Sequence, residues 1–339
     1  MRKGINPQKD KVEEGMEEYH QVLVPVYIPN EEGYFKQSFD VLKLCLTSLF
    51  KTCHGRTYFT IVNNGSHDEV TNYLDSLLQS NQIHELIHTH NIGKVNAVYK
   101  GIMGHNFPLI TVTDADVLFL NDWQQETYKV FGEFPKSGVV STTPISKLLK
   151  YHTYDTIWKY WFSRKLRFTK PKNQLDLERF AESIENPEFY NSAHLNNILT
   201  LKGKSANAVI GAGHFVATYR GDVFEGLKER YSAYKLGGKS VRKFFDLPVA
   251  EKGYWRLATE DNFTYHMGNV TEPWMQEALE KMVVVEDTSV QLPQLKKIKN
   301  NVIISGFKRF IFEKILLKEP IWSRFLRAKG LSKGESGKY

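Results

Sequence analysis

The feature that most constrains this chain is the regular alternation, over its first third, of short β-branched runs with segments of helical apolar spacing. Residues 21–28 (QVLVPVYI) form such a run and end at Pro29-Asn30. Residues 38–52 place Val41, Leu42, Cys45, Leu46 and Leu49 at helical spacing behind Ser38, a residue suited to capping. A second strand is expected over residues 57–63 (TYFTIVN), closed by Asn64-Gly65. A helix over 68–79, a short strand over 85–89 and a helix over 94–103 follow, and residues 108–113 (PLITVT) read as a buried strand running into Asp114. Strands separated by helices imply parallel βαβ units, and ligands in such sheets bind outside the carboxyl ends of the strands. The polar groups at those ends are Asn30 and residues 63–66, 91–94 and 114–116.

Composition narrows the class. Of 339 residues, 41% are hydrophobic and 24% charged, which excludes a disordered chain, a collagen and a polytopic membrane protein. Two cysteines, Cys45 and Cys53, make neither a disulfide framework nor a zinc site, and Cys45 falls within an apolar helical pattern. The first 20 residues are charged and carry no apolar signal segment, and no run approaches the ~20 apolar residues of a membrane span, which points to an intracellular chain. The second half is less regular. Residues 151–168 interleave aromatic and basic side chains, 171–197 are polar and read as an insertion or loop, and 207–220 read as a glycine-broken strand pair. A helix is expected from Asp222 and a last strand over 283–285, and no internal repeat is present.

The sharpest chemical feature is Asp114-Ala115-Asp116. Alternate residues of an extended segment project the same way, so both carboxylates can face one site. Two carboxylates held together repel unless positive charge lies between them, and a divalent cation with oxygen ligands is the natural solution. A second acidic triplet, Thr259-Glu260-Asp261, read alone is also a common helix N-terminus, with Thr259 as cap and acids in the first turn. His84, His88 and His90 could be taken for a zinc cluster, but only His88 and His90 would share a strand face and no cysteine accompanies them.

The order of these parts resembles the family 2 inverting glycosyltransferases of GT-A fold. The resemblance is carried by VLVPVYIPN, IVNNGSHD, NIGKVNAVYKGI, TDAD, GAGHFVATYRGDVF and ATEDNFTY, over about residues 22–269. It implies a GT-A fold, a mostly parallel central sheet flanked by helices, with a C-terminal helical extension. It also implies a nucleoside-diphosphate sugar donor, UDP- or GDP-linked, and a divalent metal, Mg²⁺ or Mn²⁺. Carried over residue by residue, Pro25 and Tyr27 line the nucleoside pocket, and Gly93 and Lys94 form the helix start that approaches the nucleotide. Asn63 and Asn64 stand where the family usually has an acidic residue contacting the base, a departure that leaves base identity open, because an amide can donate or accept. Asp114 faces the ribose or metal and Asp116 binds the metal, with His266 a further candidate ligand as in some GT-A enzymes. The family's ED motif supplies the catalytic base, here Asp261 with Glu260 before it, and Gly211, Gly213 and His214 resemble the acceptor-side strand. The acceptor implied is a glycan or lipid-linked saccharide, consistent with polysaccharide biosynthesis.

Three stretches are expected: a tail (1–19), a transferase domain (20–294, its nucleotide-binding half 20–145 and acceptor-side half 146–294) and a basic helical extension (295–339). The extension holds 12 Lys/Arg and 3 Asp/Glu, a surplus of +9 against +7 for the whole chain, so the remainder carries −2. Ile303, Ile304, Phe307, Phe310, Ile311 and Ile315 share a helical face there, with Trp322, Phe325 and Leu326 beyond Pro320, and Lys314 and Lys318 interrupt the face. That composition suits peripheral docking on an anionic membrane from the cytoplasmic side, or packing as a closing helix. No recognisable nucleic-acid motif accompanies the basic tail. The rival classes are a sugar-nucleotide nucleotidyltransferase and an inactive scaffold. The first wants a glycine-rich basic loop where PVYIPNEEGYF stands, and the second would be expected to have lost an acid from one of the triplets.

Overall fold

The runs over residues 20–26, 57–63 and 109–113 become strands buried on both faces, as parallel strands flanked by helices require, while the edge strand over 85–88 is half-exposed. The computed structural model describes residues 4–11, 17–285 and 290–339. In chain order come β1 (His20–Val26), α1 (Ser38–Thr52), β2 (Thr57–Asn63), α2 (Asp68–Gln79), β3 (Glu85–His88), α3 (Lys94–Ile102) and β4 (Leu109–Thr113). These strands stand side by side as β3-β2-β1-β4, all parallel, with Val26 opposite Asn63 and Leu23 opposite Val112. Every boundary lies within two residues of the expectation. Helix α1 buries the expected stripe: Leu42, Cys45, Leu46 and Leu49 are fully enclosed. Truncating one of those leucines to alanine would cost about 2–5 kcal/mol.

The chain continues through β5 (Val117–Phe119), α4 (Trp123–Glu133), β6 (Ser137–Ser141), α5 (Tyr154–Tyr160), β7 (Leu166–Thr169), α6 (Gln174–Ser183) and α7 (Ser192–Asn196). After these come β8 (Ile198–Lys202), β9 (Asn207–Ile210), β10 (Val216–Arg220), α8 (Leu247–Glu251), β11 (Trp255–Thr259), β12 (Thr264–His266) and α9 (Pro273–Glu280). The ten-stranded sheet runs β3-β2-β1-β4-β10-β6-β11-β9-β8-β7. Strand β10 enters antiparallel between β4 and β6, with Val216 opposite Thr113, and so carries the residues before it to the carboxyl end of β4. A separate two-stranded sheet pairs β12 with β5, His266 opposite Val117. The architecture is a GT-A-like α/β fold with a large mixed sheet, parallel throughout β3-β2-β1-β4.

Several expectations are corrected. Residues 171–197 are not a loop: α6 starts at an Asn173 cap that accepts from Leu175 N, and it buries Leu177 and Ala181. The glycine-broken pair is two strands that separate, β9 pairing with β8 and β11 while β10 pairs with β4 and β6. No α-helix follows Asp222, only a short 3-10 turn, because its carboxylate is taken by Arg220 in a two-pronged contact (3.1 and 3.0 Å) and by Tyr254 OH (2.7 Å). Residues 283–285 form no strand.

The extension is built from α10 (Val302–Ile311), which runs on into a wider turn at Phe312–Leu316, then α11 (Ile321–Ala328) and α12 (Lys333–Ser336). Phe312, Trp322, Phe325 and Leu326 are buried in one cluster with Leu166 and Trp255, and Trp161 stacks on Phe325 with ring centroids 4.3 Å apart. Trp322 and Phe325 are therefore core residues and not headgroup anchors, since aromatic rings gain most where a complementary pocket removes them from water. Both cysteines are buried and free. Among the described residues no helix is long and apolar enough to cross a membrane.

Candidate active site

The parallel half of the sheet delivers its polar strand ends to one cavity of about 420 Å³. Pro25 and Tyr27 leave β1 at its wall, and Asn64, Lys94, Asp114 and Asp116 arrive from the three neighbouring strand ends. Tyr27 meets Phe35 edge to face at 5.8 Å, which makes that wall aromatic. The structure divides the asparagine pair. Asn63 is turned inward, its Nδ2 3.0 Å from Thr71 Oγ1 and its Oδ1 accepting from Ser66 N, and it ties β2 to α2. Asn64 lines the cavity, and its Oδ1 accepts from Ile92 N at 2.9 Å, fixing the loop before α3.

That loop ends at Gly93, the N-cap of α3, with φ +88°. A side chain there would be strained by the backbone, and its Cβ would come 2.7 Å from Lys235 Cα. The close approach has a purpose: Lys94 N donates to Lys235 O at 2.9 Å, and both ends of the Asn96 amide clamp Ser232 at 2.8 Å. Lys235 is thereby held at the cavity rim with Leu236. Sequence reasoning missed this residue, although the run KLGGKSVRK joins glycines to cations in the manner of an anion-binding loop.

Asp114 is oriented by its backbone N–H, which donates to Phe215 O at 2.8 Å, and its carboxylate pairs with the Lys94 ammonium. The Asp116 side chain is 29% exposed, close to the 27% of Asp114. Burial raises the Asp116 carboxyl above the ordinary range, and the nearby His266 opposes that rise. Its Oδ2 lies 3.5 Å from His266 Nε2, while Oδ1 is buried with no hydrogen-bond partner. His266 is aimed by Ser183 Oγ, 3.1 Å from Nδ1. Pairing of β12 with β5 is what brings this imidazole to the aspartates, 150 positions along the chain from Asp116. A carboxylate with one buried, unpartnered oxygen beside a positioned imidazole is a ligand set of the kind a hard divalent cation completes.

Two of the histidines weighed as a zinc cluster, His84 and His88, have separate work. His84 accepts from Phe59 N at 3.0 Å and stacks on Tyr58, and His88 bridges Asn63 and Asp75. Glu31, His67 and Glu69 converge within 4.8 Å at the surface, as exposed acidic groups commonly do without an ion.

His214 comes from the turn before β10 and lies near Lys94 and Asp114. Burial, reinforced by Arg256 and Lys94, pushes its pKa down to about 3, so it is neutral at physiological pH. Its Nε2 lies 3.3 Å from Asp246 Oδ2, a contact that carries no charge pairing while the imidazole is neutral, and Asp246 is itself held by the buried Arg256. Gly213 allows a close approach, since a Cβ there would meet Ile145 Cδ1 at 2.9 Å.

Glu260 and Asp261 follow β11 without starting a helix. Thr259 Oγ1 donates to Asp261 O at 2.7 Å and the chain turns directly into β12, so the helix-cap reading of this triplet does not hold. Glu260 accepts from Asn207 Nδ2 at 3.0 Å, and Asp261, which is exposed, accepts from Asn262 N at 2.9 Å. Both acids line an opening ringed by Lys129, Lys172 and Lys204 that shares no lining residue with the first cavity. A further hollow of about 300 Å³ is bounded by His266, Asp176, Asn262, Tyr265 and Trp274. Asp176, on α6, accepts from Tyr265 OH at 3.0 Å, and burial raises its pKa, with Asp261 adding to the rise. Asp176 fell in the segment read as a loop and so escaped notice.

Residues 22–182, from β1 to the end of α6, match the model of the family described as glycosyl transferase family 2. No curated protein matches the chain. Among solved structures it is similar to the mannosyltransferase PcManGT from Pyrobaculum calidifontis in complex with GDP-Man and Mn²⁺, at 13% identity, covering 94% of this chain and 73% of that one, with a TM-score of 0.41. It is also similar to S. aureus TarS 1-349 in complex with UDP-GlcNAc, at 12% identity, covering 92% and 81%, with a TM-score of 0.42. The family 2 match over the strands that build the cavity supports a glycosyltransferase.

Proposed function

We propose that this chain, a glycosyltransferase by its family 2 match, moves a sugar from a UDP- or GDP-linked donor to a hydroxyl of a glycan or lipid-linked saccharide, with inversion at the anomeric carbon. The observation that carries the proposal is the convergence of Asn64, Lys94, Asp114 and Asp116 on one cavity, with the unpartnered oxygen of Asp116 beside His266. The aromatic wall at Tyr27 suits a nucleobase, and the Asn64 amide offers it a donor and an acceptor. Asp116, His266 and Asp114 would hold Mg²⁺ or Mn²⁺, a set of two carboxylates and one imidazole. A cation bound there supplies positive charge that offsets the negative charge growing on the leaving diphosphate. Lys94 and Lys235 add positive charge at the same rim and orient the phosphates.

Inversion requires a carboxylate to take the proton of the acceptor hydroxyl as its oxygen attacks from the face opposite the leaving group. Asp261 is assigned that role, with Glu260 positioning the turn. A second reading is favoured by one observation: Asp176, not Asp261, lines the hollow that His266 shares, and its raised pKa moves it toward that of an effective base. Calorimetry with UDP and GDP, with and without Mg²⁺ or Mn²⁺, tests the donor assignment. Absence of binding to either nucleotide under every metal condition overturns it.

A further inference from the structure

The outward face of α10 is left bare by the same packing that buries the rest of the extension. Its inner face is fixed at three points: Ser305 Oγ lies 3.0 Å from Tyr154 OH, Lys308 Nζ reaches Asp155 at 2.7 Å, and Phe312 is enclosed. Ile303, Phe307 and Phe310 project the other way and are 83%, 62% and 59% exposed, with Ile304 and Ile315 also open to solvent. Bulky apolar side chains at i, i+4 and i+7 are placed for burial, and among the described residues nothing in this chain covers them.

Charge decides what would. Lys299 precedes α10, Lys314 and Lys318 interrupt the apolar face beyond it, and all three are exposed with no described acid paired to them. Of the three acids in the extension, Glu313 is held by Arg309 at 3.0 Å, and Glu335 closes the start of α12 by bonding Ser332. The +9 surplus of residues 295–339 stands against −2 for the rest of the chain. An apolar stripe with exposed lysines before and after it, on a helix lying along the surface, is an arrangement that settles into the headgroup boundary of a bilayer, the long lysine stems reaching the phosphates. A protein partner's apolar groove would not call for the cations.

We propose that α10, through Ile303, Ile304, Phe307, Phe310 and Ile315, docks the protein on an anionic lipid surface without crossing it. The apolar residues enter the acyl boundary, while Lys299, Lys314 and Lys318 meet the phosphates. Trp322 and Phe325 take no part. Docking rests on no step of the catalytic reading, and nucleotide binding measured on the same samples keeps the two apart.

The test is co-sedimentation of the full chain with vesicles of two parts phosphatidylcholine to one part phosphatidylserine, and with phosphatidylcholine alone. The native protein is expected to bind the anionic vesicles, and binding should fall roughly tenfold or more on raising salt from about 0.1 to about 0.5 M. Phe307→Ser/Phe310→Ser and, separately, Lys314→Glu/Lys318→Glu should each lower the bound fraction roughly tenfold. These side chains are exposed, so thermal unfolding should be unchanged, and that measurement shows the variants are folded. Failure of the native chain to bind anionic vesicles overturns the proposal, as does equal binding by the phenylalanine variant. A native dimer that Phe307→Ser/Phe310→Ser dissociates overturns it in favour of a second copy covering the face.

Discussion

Asp155 joins the extension to the sheet, and its replacement by asparagine should loosen that joint without touching the site. The carboxylate is 9% exposed and receives Trp255 Nε1 at 3.0 Å and Lys136 at 3.1 Å on Oδ2, and Lys308 of α10 at 2.7 Å on Oδ1. Hydrogen bonds from Lys308 and Trp255 and the charge of Lys136 outweigh burial, the largest single influence, and hold its pKa below the ordinary carboxylate value. Breaking a fully buried pair costs about 3–5 kcal/mol, but Lys136 and Lys308 are 34% and 25% exposed and can rehydrate. A cost of about 2–3 kcal/mol for Asp155→Asn is the reasonable figure after that screening. For 339 residues the unfolding entropy is about 0.7 kcal/mol/K, so Tm should fall by roughly 3–4 °C. The comparison is Glu126→Gln, which breaks the helical pair to Lys129 whose side chains are 31% and 48% exposed. It should cost under about 0.5 kcal/mol. Because the folded pKa of Asp155 is depressed, its contribution is full above the unfolded value near pH 4 and disappears as pH falls through the lower folded value. The gap in Tm between native and Asp155→Asn should therefore be constant at neutral pH and close only below about pH 4. Scanning calorimetry across pH reads both effects. A variant melting within about 1 °C of the native protein at pH 7, or a gap that persists unchanged at low pH, would refute the reasoning.

Three further outcomes bear on the site. Asp116→Ala should abolish metal-dependent nucleotide binding, read by calorimetry, whereas His266→Ala should weaken the metal's contribution by roughly 10- to 100-fold with the fold intact. Asp261→Asn and Asp176→Asn should both spare nucleotide binding, and whichever one removes transfer, by about 10²–10⁴-fold in kcat, is the base. Loss of nucleotide affinity in both would contradict either assignment. Lys235→Ala should weaken donor affinity by about 10-fold, worth some 1.5 kcal/mol for a charge-assisted contact, while UDP-sugar and GDP-sugar lose equally because phosphate and not base is touched. An effect confined to one base would relocate Lys235 to the nucleoside.

What could be learned from sequence differs in kind between the two halves. The strands and helices of the first third are local objects, and their boundaries follow from apolar period and turn residues within a dozen positions, although Ser38 opens α1 rather than capping it and Gln37 stands at the cap with no side-chain bond. Because parallel βαβ units oblige successive strand ends to lie on one edge, Asn64, Lys94, Asp114 and Asp116 are grouped by sequence alone. The same signals were present in α6, with Asn173 as cap and Leu177, Phe180 and Ala181 at helical spacing, and its polar composition masked them. Asp176 was lost with it.

By itself the sequence determined which residues end strands, which helix faces are apolar and which acids stand in pairs, since each depends on neighbours a few positions away. Tertiary structure alone decided the rest. Whether His266 reaches Asp116 depends on the pairing of β12 with β5, and whether Lys235 reaches the rim depends on the contact of Gly93 with a loop some 140 residues later. The extension makes the point most directly. Trp322 and Phe325 on α11 and Phe307 and Phe310 on α10 belong to apolar faces of one kind, but the first two fill a core shared with Trp161 and Trp255 while the others face water. A helical period specifies that a face will be buried, and only the rest of the fold specifies against what.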